Sequence, residues 1–337
     1  MDKNLPSVSI LTMSYNPELG LFEEFLKRIK LQDYPRAKIE HLIMDGGSAN
    51  GAIELARKYG VKVHSDSKLK DEISMRQSML LHGAKNDIVV WLETDNLFID
   101  KTALRKLVRP FVENDDVIAS YSFHYSYNPK LAFLDRYCAL MGLSDPIVHY
   151  LGKADRRPWF EKRANYPKVE DRKTYSIIQF DENNLPTVGD NGFLARRKIL
   201  LKAKTSPAYF FHTDVFFDLL GKGYNKYAAV YDTSIEHVIR SDFLKLIRRR
   251  IEYMERDAQP TMLKNRRYQI FDPKRRKDKI NLVLFGIFTF TLIQPLLVSL
   301  RGYLKIRDRA WFAHILMCWL FLIYYGRSTF LRVLKSK

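Results

Sequence analysis

The sequence predicts an α/β fold built on a Rossmann-like open mixed sheet flanked by helices, and three observations predict it. Short β-rich runs alternate with helical patterns through the first 120 residues, the rhythm of βαβ units. One run, DIVVWL at 87–92, is almost wholly apolar, as a strand buried on both faces of a parallel sheet must be. The runs also end in clusters of polar residues, at the level where open α/β sheets bind ligands.

The elements follow in order. Val8 to Ser14 (VSILTMS) reads as the first strand. After Pro17, apolar residues Leu19, Phe22, Leu26 and Ile29 recur at three- and four-residue steps, a helix that ends before Tyr34-Pro35. Ile39 to Met44 is a second strand, Ala52 to Tyr59 a helix stopped by Gly60, and Val61 to His64 a third strand. Ser74 to His82 is helical and leads into DIVVWL. Asp100 is placed to cap a helix carrying Leu104, Leu107, Val108 and Phe111, and Val117 to Phe123 is another strand. His124 to Pro186 shows no clear period. Thr187 to Leu201 reads as a loop leading into a helix, and Thr213 as the cap of a helix over Asp214 to Leu220. Tyr227 to Tyr231 is a last strand, followed by Ile235-Glu236-His237. Ser241 then precedes an amphipathic helix with Phe243, Ile247, Ile251 and Met254 on one face, suited to a membrane surface or to packing on the domain. The expected division is a domain over 1–240, a basic linker helix over 241–280 and a membrane-associated helical hairpin over 281–337.

The net charge of +18 resembles a nucleic-acid signal until it is located. From Lys245 to Lys337 there are 21 Lys and Arg against 6 Asp and Glu, a net of +15; the rest of the chain carries only +3. The basic residues flank two apolar runs, Asn281 to Leu300 and Ala310 to Gly326. The first is about as long as a helix crossing a ~30 Å hydrocarbon core. Polybasic flanks beside apolar helices indicate an anionic leaflet, and with no recognition motif nucleic acid is not expected as a partner. Two full crossings would put the basic loop Arg301 to Arg309 outside, against the positive-inside tendency; segments lying in one leaflet avoid that conflict. Both arrangements stay open. The opening MDKNLPSVSIL has no long apolar stretch before a cleavage site and is not read as a signal peptide. Cys138 and Cys318, far apart, fit neither metal spacing nor a disulfide framework, which favours a reducing, cytosolic setting for the main domain.

The polar strand ends are Ser14 to Asn16, Asp45 to Ser48, Asp66 and Glu93 to Asn96, and the fold predicts that they cluster. Glu93 and Asp95 are two carboxylates separated by one residue after a buried strand. Like charges repel there, and Mg2+ or Mn2+ would neutralise them while binding a diphosphate. A solvated turn is the plainer alternative.

At these residues the chain resembles glycosyltransferase family 2, the inverting nucleotide-sugar enzymes of GT-A fold. SILTMSYN (9–16) resembles the family's first strand, and IMDGGSANG (43–51) its second-strand motif, with Gly46 where an Asp is common. ISMRQSMLLHGAKNDIVVWLETDN (73–96) resembles the stretch ending in its DxD motif, with Glu93 for the first acid. VGDNGFLARR (188–197) resembles its acceptor-side loop, and HTDVFFDLLGKGY (212–224) the segment of the catalytic base, with Thr213-Asp214 for Glu-Asp. The resemblance implies donor and nucleotide contacts from Ser14, Tyr15, Asn16, Asp45, Gly46, Arg76, Glu93, Thr94 and Asp95. It implies metal ligation by Asp95, Glu93 and His237, and diphosphate or acceptor contacts from Arg196, Arg197 and Asn191. Asp214 is the expected base, with Asp190 as its competitor. A helix N-terminus stabilises an ionised carboxylate and lowers its basicity, so Asp214 also suits a plain cap. Basic residues such as Arg248 or Arg249 would also suit a phosphate group.

The expected activity is transfer of a sugar from a UDP- or GDP-sugar to a lipid-linked or polyprenyl-phosphate acceptor at the cytoplasmic face of the cell membrane, in glycan or cell-envelope biosynthesis. A nucleotidyltransferase would carry a Gly-rich, basic loop after the first strand, where SYNPELG stands. A membrane-tethered module that binds a nucleotide sugar or a partner without transfer is the non-enzymatic alternative.

Overall fold

A computed structural model describes residues 4–204, 210–257 and 266–335. Its centre is a nine-stranded sheet in the order β3-β2-β1-β4-β9-β6-β10-β8-β7. Strands β1 (Val8–Ser14), β2 (Ile39–Asp45), β3 (Lys62–Ser65) and β4 (Ile88–Trp91) are mutually parallel neighbours. Val8, Ile10 and Leu11 of β1 and all four residues of β4 are buried, as strands covered on both faces require. The register pairs Ser14 with Asp45 and Asp45 with Ser65, so three polar side chains end in one row.

Helix α1 (Leu19–Lys30) starts at Glu18, whose carboxylate accepts from Gly20 and Leu21 N–H, and buries Phe22, Phe25, Leu26 and Ile29. Leu19, expected on that face, is exposed. Helix α3 (Ile73–Gly83) feeds β4, and α4 (Ala103–Glu113) buries Leu104, Leu107, Val108 and Phe111 as expected. Asp100 bonds Thr102 N–H and Oγ1, so it braces the turn before α4. Beyond β4 the sheet becomes mixed: β9 (Phe193–Arg196) lies antiparallel between β4 and β6 (Ala119–Ser122). β8 (Tyr175–Gln179) lies antiparallel to β10 (Lys226–Val230) and to the short edge strand β7 (Val169–Asp171). A two-stranded ribbon, β5 (Asn96–Phe98) with β11 (Ile235–His237), stands beside the large sheet.

The chain divides into two compact units, residues 1–126 with 163–237, and residues 127–162 with 238–337. This differs from the expected boundary at 240, because Tyr127–Lys162 belongs with the C-terminal segment. Helix α5 (Phe133–Met141) carries Leu134, Tyr137, Leu140 and Met141 into one core with Leu246, Ile247, Trp311, Met317 and Phe321. Within this unit Asp308 accepts from Tyr127 Oη at 2.7 Å and Arg136 Nε at 2.8 Å. Helix α9 (Phe243–Asp257) buries Leu246 and Ile247 in that core, which favours the packed reading of the amphipathic helix; Asp242, not Ser241, receives a first-turn N–H. The first apolar run is not one helix. α10 (Arg276–Thr291) and α11 (Ile293–Lys305) meet at Leu292, whose φ is +59°, and are bent by 79°. Helix α12 (Ala313–Lys335) follows. Among the described residues no single helix is long and apolar enough to cross a membrane, while the bent pair passes by length and composition. Cys138 and Cys318 are both buried and unpaired.

Candidate active site

The carboxyl ends of β1, β2 and β4 converge as the sheet rule requires. Asp45 is 1% exposed and organises the loop after β2. Its Oδ1 accepts from Gly47 N (2.8 Å), Ser48 N (2.7 Å) and Ser65 Oγ (3.0 Å), and its Oδ2 from Ser48 Oγ (2.6 Å). Ser48 Oγ in turn accepts from Asn16 N at 2.7 Å, and Asn16 Oδ1 from Ala49 N at 2.9 Å. Asn16 adopts φ +43°, which asparagine tolerates better than most residues. The loops after β1 and β2 are thereby clasped together.

Arg76 is the second brace. Buried at 5% exposure, it donates from Nη1 to Ser14 O and from Nη2 to Lys70 O, both at 2.9 Å. A Cβ on Gly46 would lie 3.2 Å from Arg76 Nη1 and 3.1 Å from Lys70 Cα. The glycine at 46 is thus matched to this guanidinium, and a larger side chain would push it aside. Tyr15 is 41% exposed at the rim, with Lys70 Nζ 4.8 Å from its ring centroid.

Glu93 and Asp95 follow β4 and differ in state. Burial pushes Glu93 well above the usual carboxylate range; Asp190 and Asp95 add repulsion, and Arg76 opposes it. Its Oε1 is buried and, among the described residues, has no hydrogen-bond partner. At Asp95 burial acts the same way, but His237 and Asn96 outweigh it and hold the carboxyl below its usual value. Asp95 retains 37% side-chain exposure, and its Oδ2 lies 3.7 Å from His237 Nε2. The ribbon creates this pair, since β11 lies antiparallel to β5 with His237 opposite Asn96. Tyr125, its ring centroid 5.3 Å from that of His237, backs the imidazole.

Asp190 reaches the same cluster through a loop of positive-φ residues, Gly189 (+117°), Asn191 (+54°) and Gly192 (+76°). Gly192 N–H donates to Trp91 O at 2.6 Å. A Cβ on Gly192 would fall 2.5 Å from Ile235 Cγ1, and one on Gly189 2.6 Å from His212 Cβ. Glycine is needed at both for close approach as well as conformation.

The model of the family described as Glycosyl transferase family 2 matches residues 9–202, which is more than half of the chain and includes every strand end just described except β11. The chain belongs to this glycosyltransferase family. Solved structures with the same fold include a mannosyltransferase from Pyrobaculum calidifontis in complex with GDP-Man and Mn2+. It is 16% identical over 95% of this chain and 87% of that one, with a TM-score of 0.51. TarS of S. aureus in complex with UDP (14% identity, 90% and 82% coverage, TM-score 0.47) also matches. So does glucosyl-3-phosphoglycerate synthase of Mycobacterium tuberculosis with Mn2+ and UDP-glucose (17%, 77% and 79%, TM-score 0.47). At such identities the likeness concerns the GT-A fold alone. No curated protein matched.

As a family 2 enzyme the chain departs from the expected site in three places. Arg196 and Arg197 are not at the diphosphate end. Because β9 is antiparallel, Phe193 pairs with Trp91 at the ligand end of β4 while Arg196 pairs with Ile88 at the other end, three residues or about 10 Å away. Arg196 instead bonds the carbonyls of Val117, Phe111 and Asn114, and Arg197 bonds Leu81 O. Asp214 lies in the first turn of α8 (His212–Gly221), as expected, but is fully buried. Thr213 is not the cap, since the helix begins at His212 with no side-chain cap bond. Glu93, third, is half-buried, with its Oε1 shielded from solvent and its carboxyl pushed above the usual range.

The metal that the fold implies can be tested against these donors. Among the described residues no three His, Cys, Asp or Glu gather as a closed cage. Asp95 and His237 nevertheless offer one carboxylate and one imidazole side by side, and Mg2+ or Mn2+ is commonly held by one or two side chains with phosphate oxygens and water completing the shell. The donor set fits an ion shared with a diphosphate. Sequence reasoning missed Ser65, Lys70 and Tyr125. The first two lay in a stretch with no motif, and Tyr125 lay where no period was visible.

Proposed function

We propose that this family 2 chain is a metal-dependent inverting transferase that moves a sugar from a UDP- or GDP-sugar to a lipid-linked or polyprenyl-phosphate acceptor at the cytoplasmic face of the cell membrane. The observation that carries the donor half is the Asp95–His237 pair at the carboxyl end of β4, beside loops clasped by Asp45 and Arg76. The Pyrobaculum neighbour, solved with GDP-Man and Mn2+, supports the same donor class.

Asp95 and His237 would hold the ion, whose charge offsets that of the departing nucleoside diphosphate. Tyr15, with its exposed ring, is placed to stack on the base. The Asp45 turn and Arg76 keep the strand-end loops fixed, so the donor meets a preorganised surface. An acceptor hydroxyl would lose its proton to a carboxylate as it attacks the anomeric carbon from the side opposite the diphosphate. Asp190 is half-buried, whereas Asp214 is fully buried. A phosphate acceptor needs no such base.

The acceptor half rests on the basic, apolar C-terminal segment, which tethers the enzyme where a lipid-linked substrate resides. Product analysis with UDP- and GDP-sugars, offered in turn to polyprenyl phosphate and to hydroxyl acceptors, tests it. With a hydroxyl acceptor Asp190→Asn is expected to lose about 100-fold or more in kcat while keeping its donor KM; with polyprenyl phosphate it is expected to stay near wild type. A loss confined to Asp214→Asn would move the base to Asp214. Transfer only to water-soluble acceptors would overturn the lipid half.

A further inference from the structure

The helical unit holds a cavity of about 410 Å³ lined by His149, Gly152, Arg157, Phe160, Glu161, Gln294, Leu297, Val298 and Arg301. Its charges are specific. Arg157 is neutralised by a two-bond pair with Glu161, Nε to Oε2 at 2.8 Å and Nη2 to Oε1 at 3.0 Å. His149 is neutral near pH 7, since burial and the adjacent Arg157 push it down to about 4. Arg301 remains, stacked 4.7 Å from the Phe160 ring centroid and paired with no carboxylate among the described residues. The cavity therefore carries one net positive charge, held over the Phe160 ring.

Its wall is continuous with an apolar surface. Leu297, which lines the cavity, is 58% exposed, and Val283, Ile287, Phe290, Ile293 and Leu304 are 50–81% exposed along α10 and α11. Soluble proteins rarely leave so many large apolar side chains together in water. Basic residues stand at both ends of the pair: Lys274, Arg276 and Lys277 at the start of α10, and Lys305, Arg307 and Arg309 at the end of α11. The arms have 16 and 13 residues and meet at 79°, each arm short of a ~30 Å core. Such a pair can enter one leaflet and leave on the same side, keeping both basic rims at one face.

We propose that α10 and α11 seat in a single leaflet and that the cavity at Arg301 takes the phosphodiester headgroup of an anionic membrane lipid, whose chains lie along the apolar surface. The single net charge matches a monoanionic phosphodiester, and the guanidinium supplies a fork of donors suited to its oxygens. The proposal rests on the membrane reading of the previous subsection and assigns it a site.

The test is flotation of the full chain with vesicles of phosphatidylcholine, alone or with phosphatidylglycerol, at about 0.3 M salt, where surface charges are screened. Wild type is expected to float with both and to favour phosphatidylglycerol. Arg301→Gln is expected to weaken binding to phosphatidylglycerol vesicles at least ~10-fold, and to cost less than about 3-fold with phosphatidylcholine, whose phosphodiester charge is already offset by its choline. Arg307→Gln, the same charge change outside the cavity, is expected to cost less than about 3-fold. Ile293→Glu is expected to lose both vesicle types. Equal losses in Arg301→Gln and Arg307→Gln would overturn the headgroup site in favour of diffuse attraction, and undiminished binding by Ile293→Glu would overturn the leaflet seat. Failure of wild type to float with any vesicle would overturn the membrane reading itself, while donor turnover in detergent would report on the catalytic reading separately.

Discussion

Asp45, Arg76, Arg196 and His41 show how one side chain decides between holding the fold and facing a ligand. Asp45 accepts four hydrogen bonds, from Gly47, Ser48 and Ser65, and Arg76 donates to two carbonyls, so both fix the loops at the strand ends. Arg196 is wholly a fastener, bonding the carbonyls of Val117, Phe111 and Asn114. Arg196→Gln is therefore expected to lower stability by about 2 kcal/mol, since buried carbonyls lose charge-assisted donors. Turnover per folded molecule should be unchanged, which thermal unfolding read beside kcat will show. His41 gives a pH dependence. Thr12 Oγ1 donates to Leu92 O at 2.8 Å, so it accepts from His41 Nε2–H at 3.0 Å. Burial lowers His41 from 6.5 to about 3. With the folded value below the unfolded one, the neutral ring's contribution is complete above pH ~6.5 and is lost as pH falls towards 3. The chain should lose stability on acidification from pH 7 to 5, by up to about 1.4 kcal/mol per pH unit from this residue. His41→Gln, which keeps a donor towards Thr12, should flatten that slope in pH-dependent melting curves.

At the scale of elements, the parallel half was legible because its strands are short β-rich runs separated by helical stretches. VSILTMS, IEHLIM and DIVVWL appear as β1, β2 and β4, and the polar residues at their ends meet. The antiparallel half was hidden. Phe193–Arg196 is only four residues and runs straight into the helical turn Arg197–Leu200, so it reads as the approach to a helix. The resemblance placed Arg196 at the diphosphate or acceptor, but the strand carries it to the other end of the sheet, because direction, which sequence period does not encode, decides which end a residue occupies. The Asp95–His237 pair was half legible: both residues stood out, but their juxtaposition depends on a ribbon joining positions far apart in sequence. The bend at Leu292 was concealed by composition, since a run without charges gives no sign of a left-handed residue. Leu292→Gly should relieve a conformation that costs a leucine about 1 kcal/mol, and the melting temperature in detergent is expected to hold or rise. A clear fall would mean that the leucine side chain, not the bend, is what matters there.

Across the whole molecule, charge and polarity separate by unit more than by surface. Most of the +18 lies in the C-terminal quarter, beside apolar helices whose outer faces are uncovered within their own unit. The strand ends proposed to take the donor lie within the other unit, between Ser14 and His237. The helical unit gathers chain from two places, since Tyr127–Lys162 packs with residues after 238. A cut at 240 would therefore leave the hydrophobic face of α5 without its partners, and truncation there is expected to give aggregated protein in size-exclusion chromatography. The central claim, that Asp95 and His237 hold a divalent ion against a sugar donor's diphosphate, is tested most directly by one comparison. Initial transfer rates of full-length wild type and Asp95→Ala are measured with saturating nucleotide sugar, with Mg2+ or Mn2+ and after chelation. Wild type is expected to be active only with metal, and Asp95→Ala to fall at least ~100-fold at an unchanged melting temperature. Undiminished transfer by folded Asp95→Ala, or by the chelated wild type, would contradict it.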